Sequence, residues 1–223
     1  AANLLSASGV AKTGAGTLAL NSGVTTTLKG LVTTGGTNEL KSGTIILSAG
    51  ATAEGQFTNG FVNVGNFLLT DGTITATNGY PSYYIFTAGR QTDGSGVFTQ
   101  NGGIFDGGNV QVLNAYGNNG TVNINGGTFI CGQFRVAQAG TGTLSLNGGL
   151  LSVNNLTRQF ANGPALVYFN GGTLQARVNH SKFIGDNAGA NPTIIIKNKG
   201  AIIDTSTFEV TIPVALQADT GST

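Results

Sequence analysis

Charged residues are scarce in this chain, since Asp, Glu, Lys and Arg make up only 9% of its 223 residues, against roughly a quarter in a typical soluble domain. The surface therefore has to be built from Thr, Ser, Asn, Gln and Gly. Thr in this role favours β-strands, whereas helices rely on Lys, Glu, Ala and Leu. No stretch shows the capped 3.6-residue period of a helix. With 39% hydrophobic residues for a core, the composition predicts an all-β protein.

The scarcity of charge also excludes two classes of partner. The ten basic residues are scattered and the net charge is +1, so no basic stripe is available to bind a nucleic acid. No apolar run approaches the roughly 18 residues that cross a membrane. We therefore expect neither nucleic-acid binding nor membrane insertion by this segment.

Cysteine and histidine occur once each, which restricts the chemistry of the chain. Cys131 alone cannot form an internal disulfide, and its place beside Ile130 predicts a small buried hydrophobe rather than a reactive thiol. One His cannot build a multi-His zinc site, and the short Gly-x-Gly-x-Asp period of calcium-binding β-rolls is absent. The sequence predicts no metal site and no cofactor.

Proline is rare, with 4 residues, whereas glycine is abundant, with 37. This combination is typical of many tight turns between short strands and argues against a disordered linker. The segments Val122–Phe129 and Leu144–Leu151 both alternate apolar and polar residues, continue with Asn-Gly-Gly and end on an apolar pair. Their Asn residues lie 22 positions apart, a period typical of repeat architectures.

The same turn motif occurs eight times along the chain. Four copies carry Asn-Gly-Gly, four are degenerate, and the intervals between successive copies run from 21 to 30 residues. The residue three before the anchor is apolar in seven copies, and the residue four after it is apolar in six. Stacked coils need such inward residues, because one coil cannot bury its apolar side alone. The anchors are Asn21, Ser42, Asp71, Asn101, Asn125, Asn147, Asn170 and Asn198.

This spacing predicts the fold. One regular coil contains three short strands, which we expect at Thr128–Ile130, Gln133–Gln138 and Thr143–Asn147, with a corner at Gly132. Coils of strands without helices indicate a parallel β-helix. The sequence therefore predicts a single β-helix domain over residues 1–223, with about eight coils and three short strands in each.

The anchor Asn residues would stand above one another in such a stack. One interpretation is a ladder in which their side-chain amides hydrogen-bond along the axis. The other is that Asn is simply tolerated at positive φ before Gly. The residues assigned to the ladder are Asn101, Asn125, Asn147, Asn170 and Asn198.

Three coils carry extra residues, at Glu54–Gln56, Asn78–Tyr84 and Arg177–Asp186. In a solenoid such residues form side loops, which often contain ligand-binding residues. Aromatic residues there are candidates to stack on sugar rings, to pack against a neighbouring rod, or to cover the base of their own loop. The candidate contact residues are Tyr80, Tyr83, Tyr84, His180 and Lys182.

Because β-helices also occur among polysaccharide lyases and hydrolases, an enzyme has to be considered. Such sites need clustered carboxylates, a basic partner or a metal set. Asp93 and Asp106 could approach each other across a coil, whereas no second carboxylate shares the level of Asp71 near the Asn101 turn. We therefore expect no catalytic residues and no enzymatic activity.

Several segments resemble a known family. Lys12–Leu20, KTGAGTLAL, resembles the core of the passenger-associated transport repeat, also called the autotransporter-associated β-strand repeat. Gly142–Gly149 and Phe169–Ala176 are similar to the Gly-Gly-rich coils that accompany it, and Gly200–Thr205 to a segment between such repeats. The resemblance implies an exported bacterial protein with a right-handed β-helix, located outside the cell or at its surface.

The sequence thus predicts a structural function, that of a secreted or surface-displayed rod. Neither terminal segment carries a charged or helical cap, so we expect either a piece of a longer rod or copies that stack head to tail into a fibre. The alternative is a carbohydrate-binding adhesin or spike-like module that uses the side loops. The third hypothesis is a polysaccharide lyase or hydrolase.

Overall fold

A computed structural model describes residues 10–28, 31–47, 61–76, 84–87, 89–90, 94–160, 162–185 and 190–221. These residues contain no helix and form 21 strands. Every paired strand runs parallel to its partner. In chain order the strands are β1 Val10–Thr13, β2 Thr17–Leu28, β3 Leu31–Leu47, β4 Phe61–Leu69, β5 Thr73–Ala76, β6 Tyr84–Thr87, β7 Gly89–Arg90, β8 Gly96–Gln100, β9 Ile104–Asp106, β10 Gln111–Tyr116, β11 Gly120–Ile124, β12 Thr128–Ile130, β13 Gln133–Ala139, β14 Gly142–Leu146, β15 Leu150–Val153, β16 Asn155–Thr157, β17 Ala165–Phe169, β18 Thr173–Ala176, β19 Thr193–Ile196, β20 Ile202–Asp204 and β21 Leu216–Ala218.

The strands form the three faces of a solenoid. Face A contains β8, β11, β14, β17, β19 and β21, and each of these pairs with the next along the axis. Face B contains β5, β9, β12, β15, β18 and β20. Face C contains β6, β10, β13 and β16. The long strand β3 passes through all three faces in turn.

The predicted parallel β-helix with three strands per coil is confirmed. The strands expected in the regular coil match β12, β13 and β14 to within one residue at each end. The described part of the solenoid has about seven turns rather than eight.

The core is a set of columns of inward side chains that run along the axis. In β11 Val122 and Ile124 are buried while Thr121 and Asn123 are half-buried, the alternation that a strand with one buried face requires. Phe105 and Phe129 lie one above the other with ring centroids 4.3 Å apart and an angle of 16° between planes. The fully buried aromatic residues are Phe98, Phe105, Phe129, Phe134, Phe169 and Phe183.

Near the degenerate turns the inward positions lie one residue away from those that the motif predicts, earlier in β3, β4, β5 and β19 and later in β20. Phe67, rather than Leu68, is buried and aligned with Phe98. A shift of one residue in the register moves the buried side chains of a strand to its solvent face. The register is therefore set by burial of the apolar side chains and not by the sequence of a degenerate turn. The other corrected positions are Ile45 for Ile46, Ile74 for Thr75, Ile194 for Ile195, and Ile203 for Ile202, which is 51% exposed.

The segment Arg177–Asp186 was predicted to be a side loop. Its described part, residues 177–185, instead forms part of face C. Ile184 pairs with Leu156, and His180 pairs with Val210. Phe183 and Ile184 are fully buried, because their apolar side chains complete the core where face C would otherwise have no strand. Asp186 lies outside the described residues.

The other predicted contact loop lies mostly outside the described residues. Tyr80 and Tyr83 belong to the part that the structure does not describe. Tyr84 is the first residue of β6, and its backbone pairs with Gln111. Their interpretation as contact residues therefore stays a prediction.

Candidate functional site

Four predicted ladder residues stand in one column at the end of face A. Asn125 donates a side-chain hydrogen bond to Asn101 at 2.9 Å, Asn147 donates to Asn125 at 2.9 Å, and Asn170 donates to Asn147 at 3.3 Å. Their backbones are held in the same way, since the N–H of Asn125 donates to the carbonyl of Gln100 at 2.8 Å. The result is a continuous amide ladder along the axis.

The turn after each Asn is shaped by its two Gly residues. Gly127 and Gly149, the second Gly of each turn, have φ of +71° and +65°, a region in which L side chains are strained. Among the described residues Ser206 is the only non-glycine with positive φ. Tolerance of Asn at positive φ is therefore wrong as the explanation of the motif, because a Gly takes that conformation: the second Gly after Asn125 and Asn147, and the first, Gly171 at +95°, after Asn170.

Asn198 is not part of the ladder, contrary to the prediction. Ile196 pairs with Phe169, and the N–H of Lys197 donates to the carbonyl of Phe169 at 2.7 Å. Lys197 therefore occupies the column position above Asn170. The triplet Asn198-Lys199-Gly200 resembles Asn-Gly-Gly in sequence only. Strand β19 ends at Ile196, one residue earlier than the motif predicts, and Asn198 is exposed in the turn that follows.

The column ends in an ion pair that the sequence motif did not indicate. Lys197 Nζ lies 2.6 Å from Asp219 Oδ2, and Asp219 follows β21 as Lys197 follows β19. Lys197 Nζ also lies 4.9 Å from the centroid of the Tyr168 ring, a cation–π distance. The alternation of buried and outward residues in β17 was the signal that could have placed Tyr168 on this surface.

An open groove of about 480 Å³ runs beside this end of the ladder. Its lining combines side-chain amides, hydroxyl groups, an aromatic ring and one charge of each sign. This mixture can hydrogen-bond and stack on a polar ligand. The lining residues are Ser145, Asn147, Tyr168, Asn170, Lys197, Asn198, Asp219 and Gly221.

Replacing Asn125 with Ala is expected to lower the free energy of unfolding by about 1 kcal/mol. The variant removes both the bond to Asn101 and the bond from Asn147, and water can only partly replace them at this exposed site. Urea unfolding followed by circular dichroism measures the loss. Asn109, exposed and outside the ladder, is the matched control, and an equal loss in Asn109→Ala would contradict a specific contribution from the ladder.

A second axial contact is made by Arg177 at the corner between faces B and C. Its Nη1 donates to the backbone carbonyls of Gly108 and of Cys131, the latter at 3.0 Å. These carbonyls belong to two successive earlier coils, so one guanidinium ties three levels of the solenoid together. The planar group with several donors suits this geometry, whereas a lysine ammonium would be a point charge.

We expect Arg177→Ala to lower the free energy of unfolding by about 2 kcal/mol, because charge-assisted hydrogen bonds are lost and two carbonyls lose a partner. Thermal denaturation and amide exchange at Gly108 and Cys131 test this. Arg177→Lys should recover only part of the loss. If Arg135→Ala, a change to an arginine of face C that bonds Gln133 in its own strand, destabilises equally, the axial role of Arg177 is contradicted.

Cys131 is fully buried, as predicted from its neighbours. Burial raises the pKa of its thiol well above the usual range, and the charge of Arg177 only partly opposes this. The thiol therefore stays protonated and lies away from solvent, which is typical of a structural cysteine.

A third axial contact runs along face B from Ser152 to Gln175 and Asp204. Ser152 Oγ donates to Gln175 Oε1 at 3.0 Å, and Gln175 Nε2 donates to Asp204 Oδ2 at 2.8 Å. The bond from Gln175, helped by the N–H of Ser206, lowers the pKa of the Asp204 carboxyl below its usual value. Hydrogen bonds that favour the ionised form have this effect.

The contribution of Asp204 to stability should therefore be present above the usual carboxyl pKa and be lost as the pH falls through the lowered value. NMR titration of the Asp204 carboxyl carbon checks the direction. In Gln175→Ala the pKa should move back up, and an unchanged pKa in that variant would contradict the assignment.

Of the carboxylate pair considered for catalysis, the structure describes only Asp106. Asp106 accepts the N–H of Gly108 at 2.8 Å as a turn cap, and Asp93 lies outside the described residues. The Nδ1 of His180 accepts the N–H of Lys182 at 3.0 Å. In the described ranges no group of three or more His, Cys, Asp or Glu residues could hold a metal ion, and none of the described residues form a helix that could span a membrane.

Comparisons with family models, with curated proteins and with solved structures find no match to this chain.

Proposed function

We propose that the chain is a structural β-solenoid, a non-catalytic rod that works outside a bacterial cell or at its surface. The observation that supports this most is the continuity of the axial contacts. Backbone pairing runs from coil to coil on three faces, and the ladder from Asn101 to Asn170 adds side-chain bonds in the same direction. Such a stack resists bending and extension. The resemblance of Lys12–Leu20 to the transport repeat supports the location.

We further propose that the rod is extended by axial pairing with more coils, either of the same longer chain or of a second copy. In the described part of the chain β21 pairs with β19 alone, so its outer edge offers unpaired backbone groups. Leu216 in this strand is 45% exposed. A parallel edge with an exposed apolar side chain is a template for another strand.

Analytical ultracentrifugation and negative-stain electron microscopy of the purified chain test this assembly. We expect rods whose lengths are multiples of one unit and grow with protein concentration. Leu216→Lys should shorten them, because a charge at the edge blocks pairing. Val178→Lys places the same charge on an exposed apolar residue away from β21 and should leave assembly unchanged. Single short rods at every concentration would contradict head-to-tail stacking.

The location has a separate test. Intact cells of the source organism are treated with an external protease, and antibodies against the chain follow the protein. Loss of the signal from intact cells, or its presence in the medium, is expected. A signal that is protected until the cells are lysed would overturn the proposed location.

A further inference from the structure

The amide ladder presents a regular row of unused hydrogen-bonding groups to solvent. A side-chain amide has two N–H donors and an oxygen with two lone pairs. In the ladder Asn125 and Asn147 each use one donor and one acceptor on their neighbours, and their side chains make no other hydrogen bond among the described residues. Each therefore keeps one donor and one acceptor. These pairs repeat about every 4.8 Å, the spacing of neighbouring strands.

The groove places part of this row of amide groups beside an aromatic side chain. Asn101 and Asn125 are exposed, whereas Asn147 and Asn170 are half-buried in the groove. Tyr168 lines the same groove, and an aromatic ring with a polar tip packs on the apolar face of a sugar ring while its hydroxyl stays hydrated. The donor and acceptor pairs thus lie beside a stacking surface.

The charges in the groove balance. Lys197 and Asp219 form an ion pair 2.6 Å long, so this end of the groove carries no net charge. A charged polymer would have to break the pair to gain a partner of its own. The lining therefore favours an uncharged ligand that is rich in hydroxyl groups.

We propose that the groove and the ladder bind an extended, uncharged β-1,4-linked polysaccharide, with its chain parallel to the solenoid axis. Such a chain is a straight ribbon that presents hydroxyl groups along both edges at a repeat close to the coil spacing. Each sugar can then meet one donor and acceptor pair of the ladder. An α-1,4-linked chain of the same sugar coils and loses this alignment. This binding site is additional to the structural role and does not depend on assembly of the rod.

NMR titration of the ¹⁵N-labelled single rod with cellobiose and with cellotetraose tests the proposal. The side-chain amide signals of Asn147 and Asn170 are expected to shift. Cellotetraose should bind at least about tenfold more tightly than cellobiose, because each further sugar reaches another rung of the ladder. Maltotetraose, with the same sugar and an α-linkage, should bind at least about tenfold more weakly than cellotetraose.

Tyr168→Ala should weaken cellotetraose binding by about tenfold through the lost stacking surface. Tyr116→Ala, at a tyrosine of β10 on face C, should leave the affinity unchanged. Should the Tyr168 variant not fold, the titrations of the unmodified protein decide the matter. Absence of shifts at the solubility limit, equal affinities for the two linkages, or tighter binding of tetragalacturonate would each overturn the proposal. Rod formation is measured separately, so its failure and the failure of this site are distinguishable.

Discussion

Replacing Gly142 with Ala is expected to destabilise the solenoid by at least about 3 kcal/mol. Gly142 begins β14 at the corner between faces C and A. A Cβ at this position would lie far inside contact distance of the carbonyl group of Val136, and would also crowd the Cβ of Ala137. The closest obstacle is the backbone of Val136, which cannot move aside as the end of a flexible side chain would.

The next coil shows why the corner demands Gly here. Gly142 pairs with Ala165 in the following level, and Ala165 is buried without difficulty. From the paired positions Arg135 and Thr157 on face C to the paired positions Gly142 and Ala165 on face A, the later coil is one residue longer, and its backbone accepts a methyl group at Ala165.

Urea unfolding followed by circular dichroism measures the effect of Gly142→Ala. The matched control is Gly16→Ala, at a glycine where an added Cβ meets nothing within 4 Å. The control should stay within about 0.5 kcal/mol of the original protein, as surface substitutions usually do. Equal stability of Gly142→Ala and the original protein would show that the corner is less tight than the structure indicates.

Replacing Phe129 with Ala is expected to cost about 4 kcal/mol, within the usual range for a buried aromatic residue. Phe129 is fully buried. It stacks on Phe105 at 4.3 Å and makes edge contacts with Phe98 at 6.0 Å and with Phe134 at 5.8 Å. The variant therefore opens a cavity that three other rings line, in the middle of the axial column.

The loss should extend beyond the mutated coil. In a solenoid each coil is stabilised mainly by its two neighbours, so amide exchange should increase in β9 and β15 as well as in β12. Phe129→Leu keeps most of the volume and should cost less than half as much. Phe160→Ala, at a ring that is 47% exposed, is the control. A cost below about 1 kcal/mol for Phe129→Ala would contradict a continuous packed core.

The regular coils could be predicted from the sequence because their local signals agree. Asn101, Asn125, Asn147 and Asn170 each precede two residues that include the glycine needed at positive φ, and each follows a strand with strict alternation. Two independent patterns therefore point to the same register. The three-strand coil and its repeat followed from this agreement.

The degenerate coils could not be predicted to the same accuracy because their signals conflict. Asp71 and Asn198 match the turn motif in sequence, but each lies one residue after the position that is aligned with the Asn column. Thr70 and Lys197 take the column positions instead, since their N–H groups donate to Leu40 and Phe169 in the preceding coils. The axial hydrogen bonds of Arg177 could not be predicted from the sequence either, because Gly108 and Cys131 are remote from it in the chain.

The amino-acid sequence by itself determined the parallel solenoid, its three strands per coil and the stacked positions of Asn101, Asn125, Asn147 and Asn170. Those features arise from a local period that repeats at every level. Only the tertiary structure decided which residues end the ladder, that Tyr168 and the Lys197–Asp219 pair line a groove beside it, and that residues 177–185 complete the core. These features depend on which side chains are buried when neighbouring coils stack. The residues that come into contact in this way are about 20 to 30 positions apart in the sequence, so the local pattern does not reveal them.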